Sequence, residues 1–198
     1  MTIMNRWHTP ILGILLLLLL LLMSAGVSAE VTAQETFMIT EQENPAPLTL
    51  TVANGTIVNG SSIPTEYTCL GQKKNPEIRW SNIPNGTRSL VCMLDDPDAP
   101  LGTFTHWIVY NIPPETEKIP EAFSTPSGSS HMSIGINTAK ENSYYPPCPP
   151  TGQTHRYRFM LYALDIGDLT DNLDRTGIDM VLADHTIKNT EIVATFKR

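Results

Sequence analysis

"SLVCMLDDPDAPLGTFTHWIVYN", Ser89–Asn111, contains two apolar runs joined by a stiff acidic turn. Ser89–Leu94 and Thr105–Asn111 are short, rich in β-formers and bounded by Asp, Pro and Gly, which is how strands are punctuated. Pro97 and Pro100 fix the backbone between them. The stretch reads as a hairpin whose facing ends are Asp95–Asp96 and Thr105–His106. Strand alternation puts Leu90, Cys92, Leu94 and Asp96 on one face. A carboxylate and an imidazole are therefore expected at one rim of a sheet. There Asp96 would hold His106 in one orientation and favour its charged form.

Outward from this hairpin the chain continues as short strands. Segments 48–53 and 56–58 end at Asn54-Gly55 and Asn59-Gly60, strong turn signals. Segment 77–80 is a third strand, and 191–197 alternates weakly as a last one. Ile178, Val181, Leu182 and His185 recur at helical spacing, which predicts a helix over 178–189. Segment 115–142 has few apolar residues and reads as an excursion from the sheet. The expected fold is mostly β: an antiparallel β-sandwich with long loops and one or two short helices near the C-terminus.

The longest strand is "HRYRFMLYALD", 155–165. Alternation sends His155, Tyr157, Phe159, Leu161 and Ala163 one way and Arg156, Arg158, Met160 and Tyr162 the other. The first set is a core face whose open end carries an imidazole and a phenol. Upstream, "YYPPCPPTGQT" (144–154) carries four prolines, with Gly152 where the chain must turn into the strand. A stiff loop feeding a His/Tyr strand end suits one wall of a preformed pocket. Alternation alone thus nominates Asp96, His106, His155 and Tyr157.

The first residues differ from the rest. Arg6, the leucine-rich run 11–23 and Val27-Ser28-Ala29 together read as a signal peptide over 1–29, cleaved after Ala29. Export to a secreted or periplasmic location follows, with an uncleaved N-terminal anchor as the alternative. Residues 30–47 are polar and aperiodic, a flexible lead-in to a domain over 48–198. The 198-residue chain has a net charge of −7, and the processed form loses one base, Arg6, and no acid. So acidic a surface argues against nucleic acid as a partner. Of three cysteines, Cys92 lies in an apolar strand, whereas Cys69 and Cys148 sit in loop-like sequence and are expected to form a disulfide.

"NPEIRWSNIPNGTRSLVCMLDDPDAP", "THWIVYNIP" and "PPCPPTGQTHRYRFMLYALD" together resemble the phosphatidylethanolamine-binding-protein family, in particular its bacterial and archaeal Raf-kinase-inhibitor-like branch. The resemblance spans most of 53–198. It implies a β-sandwich with a small pocket at one end for phosphate-like groups, phospholipid headgroups or small carboxylates. Carried over by motif, the lining is Asp96, Asp98, His106, Pro149, His155 and Tyr157. The sequence departs from the branch at Pro146, which stands where a glycine is usual.

The leading expectation is a non-enzymatic module that binds a small anion through His106, His155 and Tyr157 as donors. It needs no cofactor and no metal, and peripheral contact with lipid headgroups fits it. Binding should then strengthen as the histidines protonate. The second reading is inhibition of a protease or other partner protein through the same end of the domain, with 115–142 as the contact loop. A hydrolase or metalloprotein fares worse, for there is no G-x-S-x-G elbow, no H-E-x-x-H and no clustered Cys/His spacing.

Overall fold

The computed structural model describes residues 46–124 and 131–198. The expected signal peptide, its cleavage point and 30–45 of the lead-in lie outside the described residues. The elements are β1 (Thr49–Val52), β2 (Ile78–Ser81), β3 (Ser89–Asp96), β4 (Phe104–Ile112), β5 (Lys118–Ile119), β6 (Ser133–Ile134), β7 (Thr154–Leu164), α1 (Arg175–His185) and β8 (Thr186–Lys197). They form a three-stranded sheet, β1-β2-β5, and a five-stranded sheet, β6-β4-β3-β7-β8. Every strand pair is antiparallel.

Alternation sorts the apolar side chains of the larger sheet onto two buried faces. Leu90, Cys92, Leu94, Trp107, Val109, Tyr157, Phe159 and Leu161 pack toward the smaller sheet with Ile78 and Trp80. Val91, Met93, Ile108, Tyr110 and Met160 pack on the other face with Ile178 of α1. The protein thus has three layers, sheet on sheet on helix. All eight residues of β3 are buried, because both of its faces are covered. That is why its sequence runs apolar without interruption until the aspartates.

Several boundaries differ from expectation. The helix is Arg175–His185, set back from 178–189. Asp174 caps it by accepting from the Gly177 N–H at 3.1 Å. Residues 186–189 belong instead to β8, which is 12 residues long. Thr186 and Ile187 are β-branched and leave the helix easily. Segment 56–58 makes only a single bridge, Val52 to Ile57. Segment 115–142 is not a free excursion: β5 joins the small sheet and β6 pairs with β4. Residues 125–130 of that segment lie outside the described residues.

Cys69 and Cys148 form a disulfide, with Cα atoms 5.4 Å apart and the two residues 79 positions apart in sequence. Cys92 is free and buried, and burial pushes its thiol up to about 12. Among the described residues, no helix is long and apolar enough to cross a membrane.

Candidate functional site

The two aspartates that end β3 point to opposite faces, as alternation requires. Asp95 faces α1, where Arg175 donates to its Oδ2 and lies 3.4 Å from Thr105 Oγ1. Asp96 faces the core between the sheets and reaches β7. Its Oδ2 lies 2.6 Å from His155 Nδ1, and both side chains are about 5% exposed. Its Oδ1 accepts from the Asp98 N–H at 2.8 Å, which closes the turn after the strand. The expected partner of Asp96 was His106, and this is corrected: the carboxylate takes His155.

His106 itself sits at a β-bulge. Leu94 pairs with Trp107 and Asp95 with Thr105, so His106 is one residue extra on β4. Unbroken alternation would send it with Ile108 and Tyr110 to the helix face. The bulge re-aims it instead toward the face of Asp96. Its ring lies 4.7 Å from Phe104, 5.5 Å from Tyr157 and 6.0 Å from Tyr145. His106 Nδ1 meets the Tyr145 carbonyl at 2.8 Å, while the Tyr145 N–H donates to the His106 carbonyl at 3.0 Å. Tyr145 is followed by Pro146 and Pro147, which bias it to extended backbone and fix that carbonyl. Burial pulls the His106 imidazole down to about 4 against the weaker opposite pull of Tyr145 and Asp96. Burial thus disfavours the charged His106 ring that the sequence leads one to expect.

Tyr157 is fully buried, and its hydroxyl makes no hydrogen bond of ordinary geometry among the described residues, although it lies close to the Asp96 carboxylate and the Cys148 backbone. Burial first, and the charge of Asp96 second, hold this phenol well above its ordinary pKa. It stays protonated and available to donate. An unpaired buried hydroxyl costs about 1–3 kcal/mol. His155 Nε2 is 3.2 Å from Oε1 of Gln153, an exposed side chain. The ring is thus braced inside by Asp96 and meets the surface through Gln153.

The other predicted residues frame this cluster. Pro149 is buried in the loop between β6 and β7. The disulfide through Cys148 and the Cys69 N–H bonded to the Pro147 carbonyl at 3.1 Å anchor that loop. Gly152 takes φ +85°, a conformation glycine alone adopts freely, where the loop turns into β7. Asp98 pairs with Arg156 of β7. Its carboxylate accepts from the Arg156 N–H at 2.8 Å and from the Arg156 guanidinium at 2.9 and 2.6 Å. That pairing holds Asp98 down to about 2. Asp98 fixes the turn to β7 and keeps 27% of its side chain exposed.

Sequence reasoning did not single out Phe104, Tyr145 or Gln153. Phe104 would have been found by alternation past the bulge, and Tyr145 by the proline pair that follows it. A cleft of about 490 Å³ opens at the far end of the large sheet beside Ser89, Asn111 and Gly167. Another of about 670 Å³ lies beside Leu48, Ile83 and Ile187. Neither includes a residue of the Asp96 cluster.

The chain as a whole is similar to known proteins. Residues 53–197 match the family model described as phosphatidylethanolamine-binding protein. A UPF0098 protein of Pyrococcus abyssi is 41% identical over 145 residues, covering 71% of this chain and 81% of that one. A UPF0098 protein of Aquifex aeolicus is 39% identical over 143 residues, covering 71% of this chain and 84% of that one. The crystal structure of YbcL from Escherichia coli, described as a member of the mammalian PEBP family, superposes with a TM-score of 0.70. It is 26% identical and covers 77% of this chain and 99% of its own. The chain belongs to the phosphatidylethanolamine-binding protein family.

Proposed function

We propose that this protein is an exported, non-enzymatic binding protein for a small oxyanion, a phosphate, phosphate ester or carboxylate. The ligand would be held beside Asp96, His106, His155 and Tyr157. Family membership supports a ligand-binding protein. The observation that carries the finer reading is the unpaired Tyr157 hydroxyl, buried beside a carboxylate–imidazole pair. Native proteins rarely leave a buried hydroxyl unpaired, and a ligand oxygen would pair it. The family name suggests a phospholipid headgroup as one source of such an oxyanion.

His155 supplies the second contact. Asp96 holds Nδ1, so Nε2 faces outward, and a ligand oxygen can replace the 3.2 Å contact with Gln153. A charge-assisted bond at that nitrogen is stronger than a neutral one. Export is supported by the signal-like sequence at 1–29 and by the disulfide, since such bonds persist in oxidising compartments.

Isothermal titration calorimetry with inorganic phosphate, phosphoethanolamine and acetate tests this reading. At least one should bind the wild type, and His155→Ala should weaken it by roughly tenfold or more, the loss expected of one charge-assisted hydrogen bond. Absence of binding by all three, or binding unchanged by His155→Ala, would refute the site.

A further inference from the structure

Independently of the oxyanion reading, we propose that Asn85 is a modification site. Its side-chain amide is hydrolysed without an enzyme, through a cyclic imide, to aspartate and isoaspartate. Asn59, in a matched turn, is shielded from the same reaction by β8. The chain has three Asn-Gly pairs, at 54–55, 59–60 and 85–86. In such a pair the glycine nitrogen can attack the asparagine side-chain carbonyl carbon, because no Cβ on the glycine crowds the approach. An N–C bond forms, and ammonia leaves with the glycine proton. Water then opens either carbonyl of the ring, giving aspartate or isoaspartate. One water is consumed, one ammonia is released and no electrons are transferred.

Two of the pairs occupy the same kind of turn. Val58–Ser61 is closed by the Ser61 N–H on the Val58 carbonyl at 3.0 Å, and Pro84–Thr87 by the Thr87 N–H on the Pro84 carbonyl at 3.3 Å. Gly60 and Gly86 take φ +80° and +85° at the third position of each turn, where a left-handed residue is needed. Asn59 and Asn85 stand at the second position, and both are exposed. A hydroxyl residue follows each glycine, Ser61 or Thr87. The third pair differs locally, since Asn54 is itself left-handed, with φ +52°. Asn59 and Asn85 are therefore matched in sequence and turn, and their surroundings set them apart.

Asn59 is clasped by one residue of β8. Its Oδ1 accepts from the Val193 N–H at 2.8 Å, and the Gly60 N–H donates to the Val193 carbonyl at 2.8 Å. These bonds hold both the amide under attack and the attacking nitrogen, so ring closure must break them. The clasp continues along the strand. The Ile63 N–H meets the Thr195 carbonyl and the Thr195 N–H meets the Ser61 carbonyl, each at 2.8 Å. Releasing Asn59 therefore means peeling segment 59–63 from the sheet edge, a local unfolding step. The Asn85 turn is held within itself, by Thr87, whose Oγ1 also donates to the Pro84 carbonyl at 2.7 Å. Asn85 and Gly86 are both exposed, and among the described residues no strand clasps them. Asn85 lines the cleft of about 670 Å³ together with Ile187 and Lys188, so its reaction puts a new carboxylate on that wall.

The experiment incubates the full protein in mildly alkaline buffer and follows each asparagine by peptide mapping and mass spectrometry. Native Asn85 should convert about ten- to a hundredfold faster than Asn59, the factor that two hydrogen bonds of ordinary strength give. In urea, where β8 no longer holds Asn59, the two rates should converge. Equal rates at Asn59 and Asn85 in the native protein would overturn the proposal. So would an Asn85 that stays an amide in the native protein while it converts in urea. A gap that persists in urea would trace the difference to local sequence and overturn the role given to β8.

Discussion

Asp95 and Asp96 are neighbours on one buried strand, each at most 4% exposed, yet their surroundings differ in kind. Asp95 meets Arg175 of α1, which also bonds Asp179 four residues on at 2.7 Å. Burial raises the Asp95 carboxyl, and the guanidinium is the main counterweight. That face holds a helix against a sheet. Asp96 meets an imidazole that reaches the surface through Gln153, beside a phenol with no ordinary hydrogen bond and a second imidazole whose charged form burial disfavours. The helix side holds an ion pair at Asp95 Oδ2, though Asp95 Oδ1 is buried without a partner among the described residues. The other side leaves the Tyr157 hydroxyl unused beside two imidazoles, and unused capacity in the interior costs stability. Substitutions on the two faces should therefore separate stability from binding.

The largest effect should come from the disulfide, which anchors the loop on the Asp96 side. Replacing Cys69 and Cys148 by serine frees a closure of 79 residues and should cost about 4 kcal/mol, the size loop-closure entropy assigns to it. Urea denaturation measures this. Phosphate affinity should fall with it, because Pro149 and Tyr145 lie in the released loop. Retained affinity would mean that the wall needs no anchor.

Arg175→Met strikes the other face and should cost about 3 kcal/mol, the low end for breaking a buried pair, since Arg175 keeps a third of its side chain exposed. The deficit should be largest near neutral pH. It should shrink in acid, because protonation of the raised Asp95 carboxyl removes the stranded charge. Phosphate affinity should change less than about threefold, the scale of a remote and nearly additive site. A large loss of affinity would erase the distinction between the faces.

His106 gives a pH signature to the site face. Its folded pKa of about 4 lies below the ordinary 6.5, so protonation opposes folding. The stability tied to the neutral ring is complete above pH 6.5 and is lost as pH falls toward 4. This amounts to about 3 kcal/mol, spread over that interval. His106→Asn can still donate to Tyr145 but cannot titrate. Its stability, measured against wild type by denaturation from pH 7.5 to 4, should lack that share of the acid loss.

Tyr157→Phe should have the smallest effect on stability and the most informative sign. Removing an unpaired buried hydroxyl should leave the protein as stable or more stable by about 1 kcal/mol. Binding should weaken at the same time. A destabilised variant would mean that the hydroxyl has a structural partner.

Much of this contrast was legible in the sequence. The alternation of His155, Tyr157 and Phe159 against Arg156, Arg158 and Met160 placed β7 correctly, because strand period follows from backbone geometry alone. Two adjacent aspartates ending a buried strand must diverge, so both faces could have been inferred. Their partners could not. Arg175 lies 80 residues beyond Asp95, and no local pattern joins them. His106 reaches its place through a register shift between β3 and β4, which depends on how the strands pair. The N-terminal part of β8 was misread as helix because Ile178, Val181 and Leu182 set a helical period that Thr186 then ends.

One measurement reaches the central claim directly: the stabilisation that phosphate gives to wild type compared with Tyr157→Phe. A ligand that binds only the folded state raises stability with its concentration, and general salt effects act on both proteins alike. The account predicts that phosphate stabilises wild type clearly and the variant much less, although the variant is at least as stable without phosphate. Equal stabilisation of the two would contradict it.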